Sequence, residues 1–124
     1  MAKRDLTGAV DFAYLETYAG GDAGVVAEVL ALFREQTALW ARLLDPADAA
    51  DGAAAEGWRD AVHTLKGSAR GIGAAPLGEA CAAAEAADDA GRTAALARVL
   101  DALDLALADI AAYLHEEALK SLKT

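Results

Sequence analysis

Apolar side chains recur along this chain at steps of three and four, the period of one face of an α-helix. Five segments carry that pattern. A short one runs from about Asp11 to Tyr18 and stops at Gly20 and Gly21, where Asp22 is placed to cap a second helix. The second, Ala23 to about Leu44, bears two adjacent stripes. Val26, Leu30, Phe33, Thr37, Trp40 and Leu44 form one, and Val25, Val29, Leu32, Gln36, Leu39 and Leu43 the other. One stripe can face a bundle core, which leaves the other for the short first helix or for a partner. DPADAADG, residues 45–52, reads as a connection. A third helix is expected over about Ala53–Gly71, with a seam of Trp58, Val62, Leu65, Ala69 and Ile72. GIGAAP then interrupts the period. Pro76 suits the first turn of a fourth helix that reaches about Asp89 and turns Leu77, Cys81 and Ala84 inward. After a turn at Gly91, the fifth and longest helix is expected over about Arg92–Leu119, with Leu96, Leu100, Leu103, Leu107, Ile110 and Leu114 as its seam.

Strand signals are nearly absent, and no internal repeat is found. Four long amphipathic helices with short connections predict an all-α protein. Its architecture is an antiparallel four-helix bundle with an extra short N-terminal helix across one end. The 124 residues make one domain, 1–124, with its core at about 10–118.

Charge narrows the function. A formal net charge of −9 lacks the basic face that nucleic-acid binding needs. The basic start of the chain is followed by no apolar run, so it is not a secretory signal, and carboxylates interrupt the Ala/Leu-rich stretches well short of a membrane span. A cytoplasmic protein with no membrane contact is expected. The lone Cys81 excludes an intrachain disulfide, has no metal-ligand spacing around it, and reads as a buried, inert thiol.

One stretch breaks the helical rules. AVHTLKGSARGIG, residues 61–73, holds a glycine in mid-helix, where alanine would be better by about 1 kcal/mol. At about 100° per residue, His63 falls near 140° from Trp58 and faces solvent. Arg59 precedes it by four, Lys66 and Gly67 follow at three and four, and Arg70 follows at seven. Three cations around an exposed imidazole, in an acidic chain, suit an anion that comes and goes. Neutral imidazole keeps a nucleophilic lone pair. Gly67, one turn away, would clear a path for a macromolecule to reach the ring. Close helix packing is the other explanation of that glycine. The second histidine, His115, lies far along the last helix and reads as solvated.

HTLKGSARGIGAAPLGEACAAAE, residues 63–85, resembles the signature of histidine-containing phosphotransfer domains at His63, Leu65, Lys66, Gly67, Ser68, Ala69, Gly73, Leu77, Cys81 and Glu85. VDFAYLETYAGGDAGVVAEVLALFREQ is similar to the first two helices of that family, so the resemblance spans about residues 10–114. It implies a carrier that accepts a phosphoryl group from a receiver-domain aspartyl phosphate and passes it to another receiver. His63 would be phosphorylated, Lys66 would contact the phosphoryl oxygens, and Gln36 and Glu85 would lie near the imidazole and orient it. Arg59 and Arg70 join the site from helical geometry alone.

The chain has no Gly-rich phosphate loop and no ATP-binding motif. Phosphoryl transfer needs metal and positioned charge, so the partner receiver would supply Mg2+, and the protein itself would hold no metal and no cofactor. It would be a carrier and not a kinase. Partners implied are response-regulator receiver domains and a hybrid sensor histidine kinase, and a monomer is expected. The partner surface is expected to ring His63 with Asp60, Leu32 and Leu39, extended by Phe12 and Leu15 of the first helix. Two alternatives stay open. One is a non-catalytic helical-bundle interaction module, and the other is a phosphotransfer piece of a larger hybrid kinase. The start at Met1 and the little sequence outside the bundle favour a free-standing protein.

Overall fold

The computed structural model describes residues 6–44 and 57–123. Five helices follow one another: α1 Phe12–Tyr18, α2 Ala23–Leu43, α3 Gly57–Ile72, α4 Ala75–Ala86 and α5 Arg92–Lys123. Helix α2 packs on α3, α3 on α4, α4 on α5, and α5 closes back on α2. This is the expected four-helix bundle, with α1 laid against α2 and α3. The expected connection 45–52 and the first residues of the third helix lie outside the described residues.

Local chemistry sets the ends. Asp11 caps α1 by accepting from the Tyr14 N–H at 3.0 Å, and Asp22 caps α2 by accepting from Val25 at 3.1 Å. Gly73 ends α3 in the left-handed region, with φ of 83°. The Ala74 N–H then donates to the Ala69 carbonyl at 2.8 Å and the Gly73 N–H to Arg70 at 3.3 Å, the paired bonds of a Schellman cap. The Gly73 carbonyl in turn accepts from the Asp11 N–H at 2.9 Å, so the turn that ends α3 also docks α1.

The core joins Trp58, Val62, Leu65, Ala69 and Ile72 of α3 to Val26, Leu30 and Phe33 of α2, and to Leu77, Cys81 and Ala84 of α4. Of the two stripes on α2, the one through Val26, Leu30, Phe33 and Thr37 is inside. The Thr37 hydroxyl is satisfied there by donating to the Phe33 carbonyl at 2.8 Å.

Three expectations change. Helix α4 stops at Ala86, not Asp89, because Ala87 turns to extended backbone and Asp88 accepts from the Gly91 N–H at 2.8 Å instead of continuing the helix. Helix α5 runs on to Lys123. Its buried line is Leu96, Val99, Leu103, Ala106, Ile110 and Tyr113, while Leu100, Leu107 and Leu114 are only half-buried. Leu96, Leu103 and Ile110 are common to both lines, and Val99, Ala106 and Tyr113 each stand one position before the leucine expected in the seam. The small Ala106 and the ring of Tyr113, stacked on Phe12 at 4.3 Å, fill the centre.

Candidate functional site

Helices α3 and α4 run antiparallel, in a register visible from their contacts. Lys66 reaches Glu85, and the stem of Arg70 crosses Gly78, where an added Cβ would lie 3.3 Å from Arg70 Cγ. On the other flank, the Leu43 side chain lies 3.9 Å from where a Gly57 Cβ would stand, and Gln36 shares a groove with Ser68. His63 is thus level with Glu85 on α4 and with about Leu39 on α2. It stands on the open face of α3, with 72% of its side chain exposed.

Glu85 reaches two partners at once. Its Oε1 lies 2.8 Å from Lys66 Nζ, and its Oε2 lies 3.6 Å from His63 Nδ1. The second distance is slightly longer than a hydrogen bond, within reach of a small rotation. The hydrogen bond from Lys66, helped by the nearby His63, holds the Glu85 carboxyl below its ordinary value. With Glu85 beside Nδ1, the Nε2 edge of the ring is the one left clear.

Gly67 now has a physical reading. A Cβ built there meets nothing within 4 Å, so no internal packing demands a glycine. The space is outside the protein, one turn from His63. Gly71, one turn further, is equally open, and with Ser68 it lines a groove of 380 Å³. Tyr14 and Tyr18 of α1, Val29, Leu32, Phe33 and Gln36 of α2, and Ile72 complete it.

The cations do not gather around the ring as a free cluster. Lys66 is held by Glu85, the Arg59 guanidinium sits 5.3 Å from the Trp58 ring centroid, and the Arg70 stem lies on Gly78. Asp60 is exposed on α3. Leu32 and Leu39 are 53% and 67% exposed, so the outer stripe of α2 is bare. Phe12 and Leu15, expected on the partner surface, are instead buried at 6% and 2% exposure. They are the inward face of α1, and Phe12 stacks on Tyr113. The outward face carries Tyr14 and Tyr18, and these were missed. Their i, i+4 spacing, offset from Phe12 and Leu15, is the signal that finds them. Cys81 is buried as expected, and burial pushes its thiol up to about 11. His115 is exposed at the far end of α5.

The family model described as "Hpt domain" matches residues 26–113, the stretch that holds most of α2, all of α3 with His63, all of α4 and about two thirds of α5. The chain belongs to the Hpt domain family. Among solved structures, the crystal structure of histidine phosphotransferase ShpA from Caulobacter crescentus is 60% identical over 93% of this chain and 99% of that one, with a TM-score of 0.77. Comparison with curated protein sequences returns no match. Membership of this family makes phosphorelay histidine phosphotransfer the role of the fold, and the exposed imidazole of α3 the place to look for it. Among the described residues, no helix is long and apolar enough to cross a membrane.

Proposed function

We propose that this protein carries a phosphoryl group on His63 between the aspartates of receiver domains in a two-component phosphorelay. The observation that carries the reading is an exposed imidazole in an Hpt fold, with Glu85 at its Nδ1 edge, Lys66 on that carboxylate, and open space at Gly67. The Nε2 lone pair attacks phosphorus, the P–N bond forms as the acyl phosphate P–O bond breaks, and the receiver's carboxylate leaves. The Nδ1 proton is given up to solvent once the P–N bond has formed, so the loaded ring is neutral. Lys66, one helical turn from His63, is the cation assigned to the phosphoryl oxygens. Metal and aspartate belong to the receiver, which brings Mg2+, while this chain offers the nucleophile and acts as carrier and not as kinase.

The receiver would sit on the face that joins His63, Gly67 and Asp60 to the bare stripe of Leu32 and Leu39 and to the groove between α1, α2 and α3. An apolar patch rimmed by polar groups suits a small, transient contact. A monomer in the cytoplasm, charged by a hybrid sensor kinase, fits this role. The test is incubation with a phosphorylated receiver domain and Mg2+. The protein is expected to gain phosphate that is labile in acid and stable in base. Binding to the receiver without any gain of phosphate would favour a simple docking module.

A further inference from the structure

Lys66 carries a single positive charge, and in this structure that charge is already engaged. Its Nζ is 2.8 Å from Glu85 Oε1, and the other oxygen of the same carboxylate faces the nucleophile's ring at 3.6 Å. A phosphoryl group arriving on Nε2 adds nearly two negative charges beside this pair. The ammonium must then divide its donors between a carboxylate and a phosphoryl group, and the carboxylate repels the newcomer directly. Of the other two cations near His63, Arg59 is engaged with the Trp58 ring, and the stem of Arg70 is laid across Gly78 toward α4.

Resting on the reading of His63 as the carrier residue, we propose that Glu85 sets the phosphoryl-transfer potential of His63 by competing for Lys66. The Lys66–Glu85 pair stabilises the empty carrier, and its opening or sharing makes the loaded carrier less stable. The phosphoryl group is therefore held weakly enough to be passed on. Glu85 acts here as a tuning residue and takes no part in bond making. Atoms and charge balance without any further reactant. The P–N bond on His63 forms as the donor's P–N or P–O bond breaks, and the Nδ1 proton of His63 goes to solvent. A leaving imidazole takes one up from solvent, a leaving carboxylate departs as the anion, and Lys66 changes partners while Glu85 stays ionised. The lowered Glu85 pKa agrees with a carboxylate that remains charged throughout at neutral pH.

The test is the equilibrium of phosphoryl exchange between the full chain and N-phosphorylimidazole, followed by 31P NMR. In this exchange the protein and free imidazole compete for one group. Glu85 and Lys66 are partly exposed, so E85Q and K66M are both expected to fold. Glu85→Gln should shift the exchange constant toward phosphoprotein by about threefold to tenfold, the scale of removing one partly screened charge next to a phosphoryl group. Lys66→Met should shift it the other way. In the Lys66→Met background, Glu85→Gln should have a smaller effect, because only direct repulsion is left to relieve. Added salt should shrink the Glu85→Gln effect. An unchanged or lowered constant in Glu85→Gln overturns the proposal, as does an equal effect in both backgrounds. If the wild-type protein takes up no phosphoryl group, the carrier reading itself falls, an outcome distinct from loading with no influence of Glu85.

Discussion

At the scale of single residues, the site turns on three side chains and one missing one. His63→Gln should abolish phosphoryl acceptance and leave the thermal unfolding of the bundle unchanged, because the ring lies off the core and is mostly in water. Gly67→Ala adds a methyl group into open space, so it should raise helix stability by up to about 1 kcal/mol in urea unfolding. Gly67→Gln should leave the fold intact but slow transfer from a receiver, and an unslowed rate would contradict the clear-path role. The carboxyl of Glu85 should titrate below 4.5 by NMR and move back toward that value in Lys66→Met, since the Lys66 hydrogen bond is the main cause of its lowering. The sign follows from that lowering. The contribution of the pair to stability is present above the unfolded carboxyl pKa and is lost as pH falls through the folded one. His63, Lys66 and Gly67 were legible in the sequence because a helix turns offsets of three and four into neighbours. The contact with Glu85 lies across two helices, and only the family resemblance pointed to it.

At the scale of elements, α1 and its leader show how a docked segment is fixed. The buried carboxylate of Asp109 on α5 accepts from the Thr7 N–H and hydroxyl at 3.0 Å and from the Ala9 N–H at 3.2 Å. Together with the Asp11–Gly73 bond, it holds the chain before α1 against the bundle. Asp109→Ala strips three donors of their acceptor, the Ala9 N–H among them buried, so the loss in urea unfolding should be about 1–3 kcal/mol, with faster amide exchange at Ala9. Asp109 carried no sequence signal, because one Asp among several on α5 looks solvated until its partners are known. The two stripes of α2 were legible as alternatives. Their assignment needed the position of α3, which takes Val26, Leu30 and Phe33 and leaves Leu32 and Leu39 bare. On α1, the same rule placed the helix but not its outer face, so Tyr14 and Tyr18 replace Phe12 and Leu15 beside the groove.

At the scale of the whole molecule, the bundle presents the His63 imidazole between two flanks. One flank is α4, which places Glu85 beside the ring; the other is α2, whose outer stripe is bare apolar surface. Separate flanks allow separate tests. Leu32→Glu, on the apolar flank, should slow phosphorylation by a receiver while leaving phosphorylation of His63 by phosphoramidate unchanged. Equal loss by both routes would mean that Leu32 serves the fold and not the partner. The most direct test of the carrier role is a round trip with the phosphorylation site mapped by mass spectrometry. The protein is charged by a phosphorylated receiver with Mg2+ and then mixed with the unphosphorylated receiver. The account predicts phosphate on His63 after the first step, its return to the receiver's aspartate after the second, and neither in His63→Gln. Phosphate on His115, or a His63→Gln variant that still completes the trip, would contradict it.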